Sequence, residues 1–293
     1  MGFFNFFKSK ENKKKYLVSD IILLWYFEKA RNINEQFPMY FTTKYQIDVK
    51  AEIKKLILTK AIELANTKQQ LNMLNVSELK KICKTENIPT TGKKAILIDK
   101  LLTIPNINEY INNTAYIISN LGKETLENNY DFVKYHKNSF ELSPTDFANK
   151  LQKLGTYEQV YINEFYNNED RYANKENWGL YRNNKLYQAQ FYHLQDDYEK
   201  EMLYYIEVFY CDMSGYCNNY RESFHELMLA PGIIKYFSSN KLYFKKSMID
   251  KCIIDCKVPK HYFSKNGFSA LMSYLLDNEK IEHKYLSEYR KIK

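Results

Sequence analysis

The chain has 293 residues, of which 45% are hydrophobic and 27% are charged, a balance typical of a folded protein. This length allows two or three modest domains. With only eight glycines there are few positions for phosphate-cradling loops, and the sequence contains no nucleotide-binding or nucleophile-elbow motif. These observations argue against a nucleotide-dependent enzyme.

The net charge of +8 is concentrated in three segments. Residues 1–15 hold five lysines against one acidic residue, residues 75–102 hold six against three, and residues 235–265 hold eight against two. Clusters of this kind favour a polyanionic partner, and nucleic acid is the obvious class. We predict that residues 1–15 are a flexible, basic start of the chain.

The cellular compartment is predicted from the cysteines and the apolar runs. Five cysteines, an odd number, are typical of a reducing environment. No apolar run approaches the length of a membrane span, and no signal-peptide pattern is present. The sequence therefore predicts a cytoplasmic protein that does not contact a membrane.

Two helices are predicted near the beginning of the chain. A helix capped by Ser19 or Asp20 should run to Glu28. After a break at Pro38, a second helix should run from residue 48 toward residue 65, because apolar residues recur at helical spacing.

The sequence pattern of residues 75–102 predicts two short helices joined by a turn. Apolar residues in both helices are spaced to form inner faces that close on each other. In the turn, Asn87 tolerates a left-handed conformation, and Gly92 allows an open approach to the next helix. The inner positions are Val76, Leu79 and Ile82 in the first helix, and Leu97, Ile98 and Leu101 in the second.

This segment resembles the SAP domain, a two-helix module that binds double-stranded DNA, often AT-rich. The resemblance rests on a valine followed by an acidic-leucine-lysine triplet (Val76, residues 78–80) and on a threonine-glycine-lysine-lysine step (residues 91–94). Two positions depart from the family pattern in residue type, Asn87 for glycine and Ile96 for an acidic residue. A third, Lys100, keeps the charge of the usual arginine without its bidentate geometry.

The resemblance implies a site for duplex phosphates at the start of the second helix. Phosphates bind where backbone N–H groups and positive charge coincide, which is the first turn of a helix. Such contacts supply affinity without reading base sequence. The alternative is an ordinary helical hairpin with solvated lysines. The candidate DNA-binding residues are Thr91, Gly92, Lys93 and Lys94, extended by Lys80, Lys81 and Lys84.

After this segment, residues 116–119 form a short β-like run that leads into a capped helix over residues 120–128. This pattern resembles the strand-then-helix tail of winged-helix domains. The resemblance implies that residues 16–135 form a winged-helix-like DNA-binding unit containing the hairpin 75–102. The alternative is a plain helical domain.

Residues 145–293 predict a mainly helical C-terminal domain that follows a turn at Ser143 and Pro144. Its expected role is to bind a protein partner, or to add a second DNA contact through the basic residues 235–265. A capping box predicts a helix from Asp196. Further helices are predicted from about residue 220 to Pro231 and over residues 267–277. Residues 157–192, rich in Asn and Tyr, are predicted to be irregular or partly stranded.

Two further clusters were considered as metal sites. The spacing of four cysteines fits zinc poorly, because the first pair is too wide for a zinc turn, and buried thiols account for them better. An acidic cluster is the alternative that would make the protein a metal-dependent nuclease, although acidic residues are common at helix starts. The cysteines are Cys211, Cys217, Cys252 and Cys256, and the acidic residues are Asp196, Asp197, Glu199 and Glu201.

The sequence as a whole predicts a mostly α-helical, non-enzymatic protein that binds double-stranded DNA, with no cofactor and no catalytic residue assigned. The SAP resemblance and the abundance of Lys, Asn and Ile imply a phage or mobile element of an AT-rich bacterium. A role in replication, regulation or defence follows from that setting. An adaptor that binds acidic proteins is the third alternative.

Overall fold

The computed structural model describes residues 16–111 and 114–293. These residues form sixteen α-helices and three short strands, which confirms the mainly helical fold. The chain divides into two compact units, the first ending at Tyr157 and the second spanning Glu158–Lys293. None of the helices within the described ranges has the length and apolar character needed to cross a membrane.

The first unit is built around its first helix, Val18–Tyr26, which contacts a second helix, Val49–Leu58, and three helices that follow the hairpin, Asn120–Glu127, Asp131–Lys137 and Pro144–Leu154. Residues 21–24 of the first helix are completely buried, so apolar neighbours surround this helix. The elements before the hairpin are α1 (Val18–Tyr26), β1 (Arg31–Asn32), α2 (Tyr40–Thr43), α3 (Val49–Leu58) and β2 (Ile62–Leu64).

The predicted start of α1 was wrong. The helix begins before Ser19, and Asp20 acts from the first turn, where its carboxylate accepts a hydrogen bond from the Leu17 N–H at 3.0 Å. Asp20 is also buried, and its carboxylate lies 3.0 Å from the Lys55 ammonium. The helix ends at Tyr26 rather than at the predicted Glu28.

The predicted start of α3 was confirmed, and its predicted end was wrong. Asp48 caps the helix by accepting a hydrogen bond from the Lys50 N–H at 3.0 Å. The helix ends at Leu58 because Lys60 adopts a left-handed conformation, with a φ angle of 58°. This turn starts β2, a strand that the sequence reasoning assigned to the helix.

The three strands form one antiparallel sheet in the order β1-β3-β2. The central strand, β3 (Ala115–Ile118), pairs with β2 so that Ile62 lies opposite Ile118. The helix α7 (Asn120–Glu127) follows directly, capped by Ser119. The predicted β-like run and the capped helix after it are therefore confirmed. The helices α8 (Asp131–Lys137) and α9 (Pro144–Leu154) complete this part of the chain.

Gly122 in α7 permits a close approach to the segment before β2. A Cβ atom at this position would lie 2.1 Å from the carbonyl oxygen of Ala61. In an exposed helix a change from glycine to alanine stabilises, by about 0.5–1 kcal/mol. We expect Gly122→Ala to do the opposite and lower the free energy of unfolding by about 1–3 kcal/mol, because the backbone must move apart. Urea denaturation measures the effect, and a variant of unchanged or greater stability would contradict it.

All regular elements of residues 157–293 are helices. Residues 157–192, predicted to be irregular, form α10 and most of α11, so that prediction was wrong. Pro231 begins a helix instead of ending one, because proline is favoured in the first turn. The helix predicted from Asp196 begins at Tyr198 with Asp197 as its cap. The helices are α10 (Tyr157–Asn174), α11 (Trp178–His193), α12 (Tyr198–Ser214), α13 (Pro231–Ser239), α14 (Ser247–Asp255), α15 (Lys265–Asp277) and α16 (His283–Lys291).

Buried ion pairs join α11 to its neighbours in the second unit. The Lys185 ammonium lies 2.8 Å from Glu169 on α10 and 2.7 Å from Glu207 on α12. Arg182 forms two hydrogen bonds of 2.9 Å to the Asp212 carboxylate. Burial alone lowers the pKa of Lys185, but the neighbouring carboxylates, Glu207 first, outweigh it and hold the pKa well above its usual value. Charged residues thus occupy positions that are usually apolar.

Candidate nucleic-acid interface

The predicted DNA-binding hairpin lies in the connection between β2 and β3, which runs from Leu64 to Ala115. At the base of this connection, the Ala65 N–H donates a hydrogen bond of 2.9 Å to the carbonyl oxygen of Ala115. The connection contains α4 (Thr67–Met73), α5 (Val76–Thr85), α6 (Lys94–Leu101) and a 3-10 turn (Ile107–Tyr110). The two predicted helices, α5 and α6, are confirmed.

This segment has a small hydrophobic core of its own. The buried cluster and the half-buried residues around it all come from residues 71–111. The helices α5 and α6 therefore keep their arrangement through contacts made within the segment. The buried residues of this cluster are Leu71, Leu79, Ile82, Cys83, Leu97, Ile98, Leu101 and Ile107.

The inner face of α5 differs from its prediction at one position. Leu79 and Ile82 are buried as predicted, but Val76 is 40% exposed and Cys83 is buried in the cluster. Side chains lean toward the N-terminus of their helix, and we attribute the exposure of Val76 to its place in the first turn. Asn75 caps this turn in a reciprocal pair of hydrogen bonds with Glu78, at 3.0 and 2.7 Å.

The turn between α5 and α6 has the backbone geometry that its residues predict. Asn87 adopts the left-handed conformation with a φ angle of 57°. Gly92 has a φ angle of 124°, and a Cβ atom there would lie 2.9 Å from a methyl group of Ile96. The Lys100 ammonium donates hydrogen bonds to the carbonyl oxygens of Pro89 (3.1 Å) and Thr91 (2.9 Å). Lys100 therefore stabilises the turn through these two hydrogen bonds.

The start of α6 presents exposed donors. Lys93 is the N-cap residue, and its side chain makes no capping hydrogen bond, so the N-cap side chain does not satisfy the N–H groups of the first turn. Thr91, Gly92 and Lys93 are exposed. Lys94 is half-buried, and its ammonium donates a hydrogen bond of 2.6 Å to the carbonyl oxygen of Asn72. The two predicted lysines thus differ, since Lys93 faces solvent and Lys94 is held against the end of α4.

The outer face of α5 is basic. Lys80, Lys81 and Lys84 are all exposed, as their helical positions predict. In the described part of the chain none of the three forms a salt bridge, whereas Lys68 in the same segment lies 3.3 Å from Asp99. The structure therefore brings the seven candidate residues onto one small helical module.

The acidic cluster considered for a nuclease is divided among separate partners. Asp197 caps α12 and pairs with Lys200 at 2.7 Å, and Glu199 lies 2.5 Å from Lys245. Glu201 is buried and lies 3.0 Å from a ring nitrogen of His193. Asp196 accepts a hydrogen bond of 2.8 Å from the hydroxyl group of Tyr198. Across residues 16–111 and 114–293, no group of three or more His, Cys, Asp or Glu is placed to hold a metal ion.

The cysteines are free thiols. The sulfur of Cys211 lies 3.6 Å from that of Cys256, while Cys217 and Cys252 are buried. The hydrogen bond that Cys211 shares with Cys256 and the burial of Cys211 together raise the pKa of its thiol well above the usual value. The Cys211 thiol is therefore a poor nucleophile.

In the folded protein, acidic residues neutralise part of the positive charge of residues 235–265. Four of the eight lysines pair with acidic residues, and three of these partners lie outside the segment. Counting charges along the chain therefore overestimates the local field. The pairs are Lys241 with Asp277, Lys245 with Glu199, Lys257 with Asp170, and Lys265 with Asp250.

Sequence reasoning missed a second basic face, on α3. Lys50 and Lys54 are exposed one helical turn apart, while the neighbouring Lys55 pairs with Asp20 and Glu52 at 3.0 Å each. Leu58, one turn beyond Lys54, is 84% exposed. The lysine spacing was visible in the sequence, but only the structure shows that Lys55 turns toward its acidic partners.

Comparison with known proteins identifies one family. The model of the SAP domain matches residues 70–103, a range that begins within α4 and extends just beyond α6. The chain therefore contains a SAP domain at these residues, which indicates nucleic-acid binding. Searches of curated proteins and of solved structures found no match.

Proposed function

We propose that this protein binds double-stranded DNA through its SAP domain and has no catalytic activity of its own. The observation that carries the proposal is the start of α6, where an exposed lysine stands beside first-turn N–H groups that the N-cap side chain leaves uncapped. Positive charge and free N–H groups together bind phosphate. The residues concerned lie inside the range that matches the SAP family.

The candidate residues divide into contacts and supports. Thr91, Gly92 and Lys93 supply the exposed edge, and the positive φ angle of Gly92 shapes the turn. Lys94 adds charge near the phosphate and holds α6 against α4 through its hydrogen bond to the carbonyl oxygen of Asn72. The exposed lysines of α5, Lys80, Lys81 and Lys84, extend the contact along the duplex. Phosphate contacts supply affinity for DNA of any sequence. We also propose that the protein prefers AT-rich DNA.

We also propose that residues 16–135 form a winged-helix-like unit in which the SAP domain takes the place of a wing. The order helix, strand, two helices, strand and strand supports this, as does the sheet order β1-β3-β2. The C-terminal residues 145–293 would recruit a protein partner. The cytoplasm of an AT-rich bacterium, with a role in a phage or mobile element, is the proposed setting.

No observation favours the nuclease alternative, because each residue of the acidic cluster has its own partner. The test is to titrate the intact protein with a duplex of about 20 base pairs between 50 and 200 mM salt. We expect the logarithm of the binding constant to fall linearly with the logarithm of the salt concentration, with a slope of about −0.9 per phosphate contacted. A protein that does not bind duplex DNA at any salt concentration, or that cleaves it when magnesium is added, would contradict the proposal.

A further inference from the structure

Two arginines of the second unit lie against one tyrosine ring. The guanidinium carbon of Arg221, in the loop after α12, lies 4.0 Å from the centre of the Tyr262 ring. The guanidinium carbon of Arg290, on α16, lies 5.5 Å from the same centre and 4.6 Å from the centre of the Phe224 ring. Like charges held against one ring repel each other, so an anion bound to both groups would stabilise the arrangement.

No carboxylate pairs with these two charges. Within residues 16–111 and 114–293, neither guanidinium group belongs to a salt bridge, whereas Arg182 of the same unit forms one. The carboxylate of Glu222, which follows Arg221 in the sequence, instead accepts a hydrogen bond of 2.7 Å from the amide of Asn218. Arg290 is exposed and Arg221 is half-buried, so both guanidinium groups remain accessible to an acceptor from outside.

The backbone around Arg221 is arranged before any ligand binds. Gly215 ends α12 with a φ angle of 83°, and a Cβ atom there would lie 2.7 Å from the carbonyl oxygen of Glu222 and 3.1 Å from the Tyr262 ring. The Tyr262 hydroxyl donates a hydrogen bond of 2.8 Å to that carbonyl oxygen. The Nε–H group of Arg221 donates one of 3.1 Å to the carbonyl oxygen of Ser214. A ligand therefore need not order these groups, which lowers the entropic cost of binding.

An exposed aromatic ring precedes Arg221 in the chain. Tyr220 is 67% exposed. The unpaired bases of a single strand stack on aromatic side chains and on guanidinium planes, whereas the bases of a duplex are already stacked on each other. An acidic polypeptide would pair with the arginines but would leave the tyrosine ring unused. The combination of two arginines and an exposed tyrosine therefore favours single-stranded nucleic acid.

We infer that these residues form a surface that binds single-stranded nucleic acid. The two guanidinium groups contact phosphates of the strand, because the N–H groups of arginine can bind two oxygens of one phosphate at once. Tyr220 stacks on a base, and Tyr262 holds the two arginines in place. The inference goes beyond the proposed function, because the compact unit and the form of the nucleic acid both differ from those of the SAP contact. This arginine surface consists of Tyr220, Arg221, Tyr262 and Arg290.

The test measures binding of a labelled thymidine oligonucleotide to the full chain by fluorescence anisotropy. A length of about 15 nucleotides lies within the range that single-strand sites occupy. Arg290→Glu is compared with Arg171→Glu as the matched control. Arg171 is exposed in the same unit, and its guanidinium carbon lies 4.8 Å from the centre of the Tyr172 ring. Circular dichroism establishes that both variants keep the helical fold.

We expect Arg290→Glu to bind the oligonucleotide about tenfold more weakly than Arg171→Glu. The salt slope should become shallower by about 0.7, because one phosphate contact to a single strand is lost. The SAP variant, Lys93→Glu with Lys94→Glu, should keep the affinity of the intact protein for the oligonucleotide within about twofold, since its lysines lie outside the arginine surface.

A second pair of variants tests the stacking. Tyr220→Ala is compared with Tyr166→Ala, because the two rings are almost equally exposed, at 67% and 68%. We expect Tyr220→Ala to bind the oligonucleotide at least about fivefold more weakly than its control, which is the lower end of the effect of losing one stacked base.

The outcomes separate this inference from the proposed function. Binding that falls with Arg290→Glu and Tyr220→Ala but persists in the SAP variant supports it, whether or not the intact protein binds duplex DNA. Equal affinities within either matched pair, or loss of binding in the SAP variant, overturn it. If polyglutamate displaces the oligonucleotide from the SAP variant as effectively as unlabelled oligonucleotide does, or if duplex DNA does so, single-stranded nucleic acid is the wrong ligand.

Discussion

Reversing the charge of Lys93 and Lys94 is expected to lower the affinity for duplex DNA by about 10- to 100-fold at 100 mM salt and to make the salt dependence shallower. Lys93 stands exposed at the start of α6, and the proposed function has its ammonium and the first-turn N–H groups bind one phosphate. Glutamate at this place repels the phosphate. Fluorescence anisotropy with a labelled duplex measures both quantities.

Single substitutions divide this effect between the two lysines. Lys93→Ala removes an exposed charge and should weaken binding without changing the stability of the fold. Lys94→Ala also removes the 2.6 Å hydrogen bond to the carbonyl oxygen of Asn72, so we expect it to lower the unfolding free energy by about 0.5–1.5 kcal/mol as well. The structure therefore predicts that only the second variant changes the thermal midpoint.

The matched control for the charge is Lys68→Glu. Lys68 is exposed on α4 of the same module, and it pairs with Asp99 at 3.3 Å. If binding depends on a specific phosphate site, Lys93→Glu should weaken it several-fold more than Lys68→Glu. Equal losses would show that the overall positive field of the module, and no defined site at α6, attracts the duplex.

The SAP hairpin could be predicted because its signals are local. Asn75 and Glu78 cap α5 within one turn, and Asn87 and Gly92 determine the turn through their own backbone preferences. The apolar spacing then pairs α5 with α6. Val76 was misassigned because burial at the first turn depends on what lies beyond the helix end, which spacing alone does not reveal.

The second unit could not be predicted in the same way, because long-range contacts determine its structure. Residues 157–192 show little apolar periodicity, yet α11 buries Arg182 and Lys185 against carboxylates that lie from 16 to 30 residues away in the sequence. Helices with such polar inner faces do not show the usual pattern. For the same reason the lysines of residues 235–265 appeared uncompensated, although their acidic partners include Asp170 and Asp277.

The buried ion pairs of α11 are expected to contribute strongly to the stability of the fold. Replacing Lys185 by methionine should lower the free energy of unfolding by about 3–5 kcal/mol, the cost of leaving a buried charge without its partner. Lys185 is 2% exposed, as is Glu207, so water cannot easily take the place of the ammonium. Urea denaturation followed by circular dichroism measures the loss.

A double variant tests whether the loss comes from the orphaned carboxylate or from the missing side chain. Lys185→Met with Glu207→Leu removes both charges, and replacement of a buried ion pair by apolar residues is often nearly neutral. We therefore expect the double variant to recover most of the stability. Glu169 retains a hydrogen bond of 2.6 Å from Gln188, so its carboxylate keeps a partner in both variants. If the double variant is as unstable as the single one, packing of the lysine side chain, and not its charge, holds α10, α11 and α12 together.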